Sequence, residues 1–147
     1  MNYELILPVL DDLGTYNELV YVKQDSKENQ KDALEKMATY FRREFKYDYL
    51  QYCKLEHSEE CTGVIFTERA PDLVKHQTHF PHKVIGGACF WKQDDEDFNL
   101  DWVWFHPFAR NRKKLKKYWP GFKEKFGDFK LTPPVSAQMS AFLDKHA

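Results

Sequence analysis

The chain has 147 residues, 42% of them hydrophobic and 31% charged, with a formal net charge of -1. This composition excludes wholesale disorder and a polyelectrolyte drawn as a whole to nucleic acid, and the length fits one domain, residues 1–147, around one core. No apolar run approaches the roughly 18 residues that span a bilayer.

No N-terminal apolar stretch resembles a secretory leader. Cys53, Cys61 and Cys89 are odd in number and lack a disulfide-framework spacing. The expectation is a cytoplasmic protein with reduced thiols and no membrane partner.

In chain order, residues 3–10 (YELILPVL) read as a first strand, ended by Pro8 or by a turn at Asp11 and Asp12. Residues 19–23 (LVYVK) read as a short second strand. From Asp25 the period becomes helical, with Leu34, Met37, Phe41 and Phe45 at spacings of three and four. A helix over 26–46 follows, capped by Asp25 with Glu28 three residues later. Residues 47–60 carry no clear period. TGVIFTE (62–68) is a strand, APDLVKHQTHFPH a proline-bounded loop, and KVIGGACFW (83–91) an apolar strand with a glycine pair.

The acidic DDED then turns into FNLDWVWFHP (98–107), which Pro107 stops. Trp102 and Trp104 share one face of this strand, with Val103 and Phe105 on the other. A strand apolar on both faces belongs in the middle of a covered sheet. Lys114–Phe126 reads as a helix through Leu115, Trp119, Phe122 and Phe126, opposed by Pro120 and ended by Gly127. FKL (129–131) is a short strand, and Ser136 can cap a last helix over 137–146. The class is α+β: a mixed central sheet, an antiparallel meander feeding a βαβ unit, with flanking helices.

Charge is unevenly spread. Residues 94–101 hold five acids and residues 110–117 six cations. Cations just ahead of a helix oppose its dipole, so an anionic partner at Arg110, Arg112, Lys113 and Lys114 is one reading; a solvated surface is the other. A nucleic-acid patch is disfavoured, because Trp119 falls on the apolar stripe and the DDED turn repels a phosphate backbone.

From residue 83 onward the chain resembles the GCN5-related N-acetyltransferase (GNAT) superfamily. The matching pieces are VIGGACFW, LDWVWFHP, the run Arg110-Asn111-Arg112-Lys113-Lys114-Leu115, and the helix ending at Phe126-Gly127. The tail TPPVSAQMSAFLDKH is similar to the cohesin acetyltransferase branch. The resemblance implies a GNAT-like fold and transfer of acetyl from acetyl-CoA to an amine on a small molecule or a protein.

It implies that Val103, Trp104 and Phe105 offer backbone to the pantetheine arm and acetyl carbonyl. It also implies that Arg110, Asn111, Arg112, Lys113, Lys114 and Leu115 form the pyrophosphate loop at a helix N-terminus. Arg110 stands at the loop's first anchor, while Lys113 and Leu115 stand where the family has glycine and a small residue. For proton transfer, Ser136 and Ser140 are the hydroxyls near the last helix, and Asp101, Glu68 and His106 lie near strand ends.

Two other functions keep the fold without the chemistry: an inactive GNAT-like protein, and a partner- or nucleic-acid-binding module using the basic helix 110–125. The aromatic content, 16%, permits a homodimer. His76, His79 and His82, with Cys53, His57 and Cys61 upstream, match no standard zinc spacing, and no metal is assigned. Cys89, in an apolar strand, reads as a buried small hydrophobe.

Overall fold

Strands of alternating inward and outward side chains make up one sheet, with a helix on each face. In the computed structural model, residues 9–10, 18–46, 52–56, 58–69, 82–93, 97–109, 114–127, 129–131 and 141–142 are described. The elements run β1 (Val9–Leu10), β2 (Leu19–Val22), α1 (Glu28–Phe45), β3 (Cys61–Arg69), β4 (His82–Lys92), β5 (Phe98–Phe105), α2 (Lys114–Phe126) and β6 (Lys130–Leu131). The sheet order is β2-β3-β4-β5-β6, with β1 beside the start of β4. Among the described strands, β5 and β6 pair in parallel and the other pairs are antiparallel.

The α1 helix starts two residues later than its periodicity predicts. Lys27 is its N-cap and offers no side-chain cap. The Lys23–Ser26 turn is the reason. Ser26 donates its N–H to the Lys23 carbonyl, and its Oγ accepts the Lys23 N–H at 2.7 Å. The hydroxyl next to the helix is thus spent on the turn, and the Asp25–Glu28 capping box does not form.

Ala33, Leu34, Met37, Ala38 and Tyr40 bury one stripe of α1 against the sheet. The helix sits very close, because the sheet offers glycine beneath it. A Cβ on Gly63 would lie 2.3 Å from Leu34 Cδ2, and one on Gly87 would lie 2.9 Å from Met37 Cβ. The Gly pair of the IGG motif therefore splits its tasks, with Gly87 admitting α1 and Gly86 facing β5.

The opposite face packs against α2. Val64, Phe66, Ile85, Ala88, Phe90, Leu100, Trp119, Phe122, Phe126 and Phe129 form a largely aromatic core there. Phe90 stacks on Phe126 at 4.0 Å between centroids and meets Phe129 edge-on at 5.0 Å. Pro120 lies inside α2 on an exposed position, as does Lys116, whose carbonyl loses the missing donor. The helix tolerates the proline because that carbonyl is on the solvent side. Gly127 closes it at φ 70, donating its N–H to the Lys123 carbonyl at 2.9 Å.

The predicted first strand is described only at Val9–Leu10, and the predicted last helix only at residues 141–142, which are helical. No helix among the described residues is long and apolar enough to cross a membrane.

Candidate active site

A single extra residue in β5 decides what the strand presents. Cys89 pairs with Trp102, but Phe90 pairs with Leu100, so Asp101 is a bulge with no opposite number in β4. One inserted residue inverts the alternation of side chains. Phe98 and Leu100 before the bulge, and Val103 and Phe105 after it, all reach the α2 core; Trp102 and Trp104 reach the α1 core. Without the bulge the two tryptophans would collide with the aromatic layer under α2. The two-faced pattern expected for Trp102–Phe105 is observed, and the bulge decides which set meets α1 and which meets α2.

The same strand has two unlike edges. His106 donates its N–H to the Ile85 carbonyl at 2.7 Å, so the backbone of His106, and by alternation of Trp104 and Trp102, faces β4. The backbone groups of Val103 and Phe105 then face the opposite edge. There β6 pairs only with Asn99 and Leu100, and no described strand continues it past Leu100. Beyond His106, β5 turns away at Pro107, and β1 takes over the edge of β4 at His82 and Lys83.

This geometry places the residues singled out in the sequence. Trp104 turns its amide to β4, whereas Val103 and Phe105 turn theirs to the edge beyond β6. Asp101 is the half-buried bulge residue itself. Leu115, in the first turn of α2, packs its side chain against the α2 core. Lys114 begins α2. Glu68 is half-buried on β3 opposite Lys83. Arg110, Asn111, Arg112, Lys113, Ser136 and Ser140 lie outside the described residues, as do His57, His76 and His79. Among the described residues no three His, Cys, Asp or Glu side chains are grouped to hold a metal ion.

Two groups of contacts, around Trp104 and around Glu18, escape any linear pattern. Glu44, at the end of α1, accepts a hydrogen bond from Trp104 Nε1 at 2.8 Å, a contact spanning 60 residues of sequence. Tyr40 packs on the same indole at 5.4 Å and the His106 ring meets it edge-on at 6.2 Å. On the α2 face, Glu18 accepts hydrogen bonds from Tyr118 and from Lys117, which pins α2 to the start of β2.

Beneath α1, Cys61 and Cys89 are diagonal neighbours on β3 and β4. Burial pushes the Cys89 thiol well above its ordinary pKa, and the hydrogen bond with Cys61 adds to this. The Trp102 indole N–H, buried without a full hydrogen bond, lies beside the Cys89 sulfur and opposes the shift only weakly. A fully buried thiol that resists ionisation is a poor nucleophile, so Cys89 serves packing. Nearby, burial above all raises the Tyr52 hydroxyl, and Cys89, Cys61, Glu35 and Cys53 contribute.

With the geometry in place, comparison identifies the architecture. No family model matches the sequence, and no curated protein matches it. A solved structure does. It is the ribosomal-protein-alanine N-acetyltransferase from Brucella melitensis biovar Abortus 2308, with a TM-score of 0.55 over 88% of this chain and 89% of that one. The fold is GNAT-like. Sequence identity is 9%, so the likeness is one of backbone path and not of side chains. It extends to the acetyltransferase fold at large, and the cohesin branch finds no support in it.

Proposed function

We propose that this chain is an acetyl-CoA-dependent N-acetyltransferase that acts on an amine. The observation that carries the reading is the edge of β5. A bulge at Asp101 is followed by a stretch whose Val103 backbone faces an edge that β6 stops short of covering. In sequence the strand is followed by the cations Arg110, Arg112 and Lys113 and then by the start of α2, in a GNAT-like fold.

The residues present fit the cofactor. The backbone of Val103 faces a strand edge with which a pantetheine arm can pair, as an added strand would. Arg110, Asn111, Arg112 and Lys113 directly precede Lys114, the first residue of α2, in sequence, and a helix N-terminus beside such charge suits a pyrophosphate. Leu115 packs against the core. At Lys113, charge replaces the close backbone approach that glycine would give. When bound, acetyl-CoA supplies a thioester whose acetyl group an amine can attack.

The Phe105 N–H is oriented to polarise an acetyl carbonyl at that edge. His106 follows the end of β5 and Glu68 stands near the end of β3, whereas Asp101, expected near a strand end, is the bulge in the middle of β5; each is a group that can take a proton from the acceptor. Ser136 and Ser140 are the hydroxyls assigned to the leaving thiolate.

The test is thermal unfolding with acetyl-CoA, CoA, ATP and a short DNA duplex, on the wild type and on the Arg110→Ala, Arg112→Ala double variant. At about a hundred times Kd, a specific ligand stabilises the native state by about 2.7 kcal/mol, which raises Tm by several degrees. A shift with acetyl-CoA and CoA alone, weakened in the double variant, is expected. No shift, or an equal one with every anion, overturns the assignment and leaves a GNAT-like scaffold without the chemistry.

A further inference from the structure

Deepening that reading, and resting on it for the role of the cofactor, we propose that α2 opens in two parts. The half from Lys114 to Trp119 loosens while the half from Phe122 to Phe126 stays seated, and cofactor phosphate at the start of α2 settles the loose half.

The joint is Pro120. Each N–H of an α-helix bonds the carbonyl four residues earlier, so the Lys116 carbonyl finds no donor in Pro120. Proline is favoured as the first residue of a helix, where its missing N–H is not needed. The residue that weakens the first half therefore suits the second half as a helix of its own. Gly121 beside it is exposed, with nothing within 4 Å of a built Cβ, and adds no packing across the joint.

The two halves are held by unlike forces. After the joint, Phe122 and Phe126 are buried, and Phe126 stacks on Phe90 at 4.0 Å. Lys123 and Lys125 stand in the last turn, where cations complement the helix dipole, and Gly127 closes the end.

Before the joint, Leu115 and Tyr118 are only half-buried, and the buried Trp119 indole N–H makes no hydrogen bond, which costs its desolvation. Lys114, Lys116 and Lys117 stand in a first turn that holds no acid, where they oppose the dipole. Glu18 ties this half to the start of β2 by accepting hydrogen bonds from Lys117 and Tyr118. A tie of that kind near the surface holds less firmly than buried stacked rings. An anion at the start of α2 offsets the lysines and the dipole together, so cofactor binding and closure of the first half favour each other.

The experiment is amide hydrogen exchange read by NMR on the full chain, with and without acetyl-CoA. Helical bonding places the Tyr118 and Trp119 amides on carbonyls of the first half, and those of Lys125 and Phe126 on carbonyls after the joint. Without ligand, the first pair should be protected at least about tenfold less than the second. Pro120→Ala returns a donor to the Lys116 carbonyl and should narrow that gap, whereas Glu18→Gln should widen it. Saturating acetyl-CoA should slow exchange at Tyr118 and Trp119 by about tenfold or more.

Equal protection of the two pairs, or an unchanged gap in Pro120→Ala, overturns the two-part helix. Unchanged exchange at Tyr118 and Trp119, in a chain whose Tm acetyl-CoA does raise, overturns the coupling alone. A chain whose Tm acetyl-CoA leaves unmoved refutes the cofactor assignment instead, and the ligand-free comparison still decides whether α2 opens in two parts.

Discussion

Replacing Gly86 by alanine should destabilise the protein, and the same replacement at Gly121 should stabilise it. A Cβ built on Gly86 lies 2.5 Å from the Trp104 carbonyl oxygen and 2.9 Å from Phe105 Cδ1, closer than real Cβ atoms stand. The first of these neighbours is backbone in a central strand, so it cannot swing aside as a flexible side chain would. Relief requires β4 and β5 to part. Overpacking of this kind costs about 1–3 kcal/mol.

For a domain of this size each kcal/mol moves Tm by about 2–4 °C, which gives a fall of about 2–12 °C. Gly121 lies within α2, exposed, with nothing within 4 Å of a built Cβ. Alanine there should gain about 0.5–1 kcal/mol from reduced chain entropy, a rise of about 1–4 °C. Thermal unfolding followed by circular dichroism measures both. A Gly86→Ala protein melting within a degree of wild type would refute the close approach of β4 to β5, and a Gly121→Ala protein melting below wild type would refute the open helical position of Gly121. Parting those strands also shifts the Val103 edge, so Gly86→Ala should lose part of any acetyl-CoA response.

Two further outcomes are expected. The Cys89 thiol is neutral and fully buried, with its pKa raised by burial, so the unfolded chain ionises it first. Its stabilising contribution is complete below about pH 8.5 and falls away above that, by up to about 1.4 kcal/mol per pH unit. Tm measured from pH 7 to 10 should decline more steeply in wild type than in Cys89→Ala, and parallel curves would contradict the assignment. At the helix ends the backbone is left-handed at Gly127 (φ 70) and at Lys46 (φ 59). Gly127→Ala should therefore lose, and Lys46→Gly gain, about 1 kcal/mol in denaturant unfolding; the same sign for both would refute it.

Much of the fold can be read from residue order. The strands at 62–68, 83–91 and 98–107 and the helix through Leu115, Trp119, Phe122 and Phe126 are legible because period two and period 3.6 are local properties of a buried face. Gly127 marks a helix end through its own backbone freedom. The start of α1 is misread because Asp25 and Glu28 have capping chemistry at the right spacing, while the Lys23–Ser26 turn holds the chain out of the helix until Glu28.

What tertiary structure alone decides is the pairing. No spacing announces that Asp101 is left over between Cys89 and Phe90, yet that one-residue mismatch sends Trp102 and Trp104 to α1 and turns Val103 toward an edge that β6 stops short of covering. Glu44 and Trp104 are 60 residues apart, and their hydrogen bond exists only because Gly63 and Gly87 let α1 settle onto the sheet. The sequence determined which residues are apolar, at what period, and where the cations gather. Register and close approach, which are set between strands rather than along them, decided which of those residues meet.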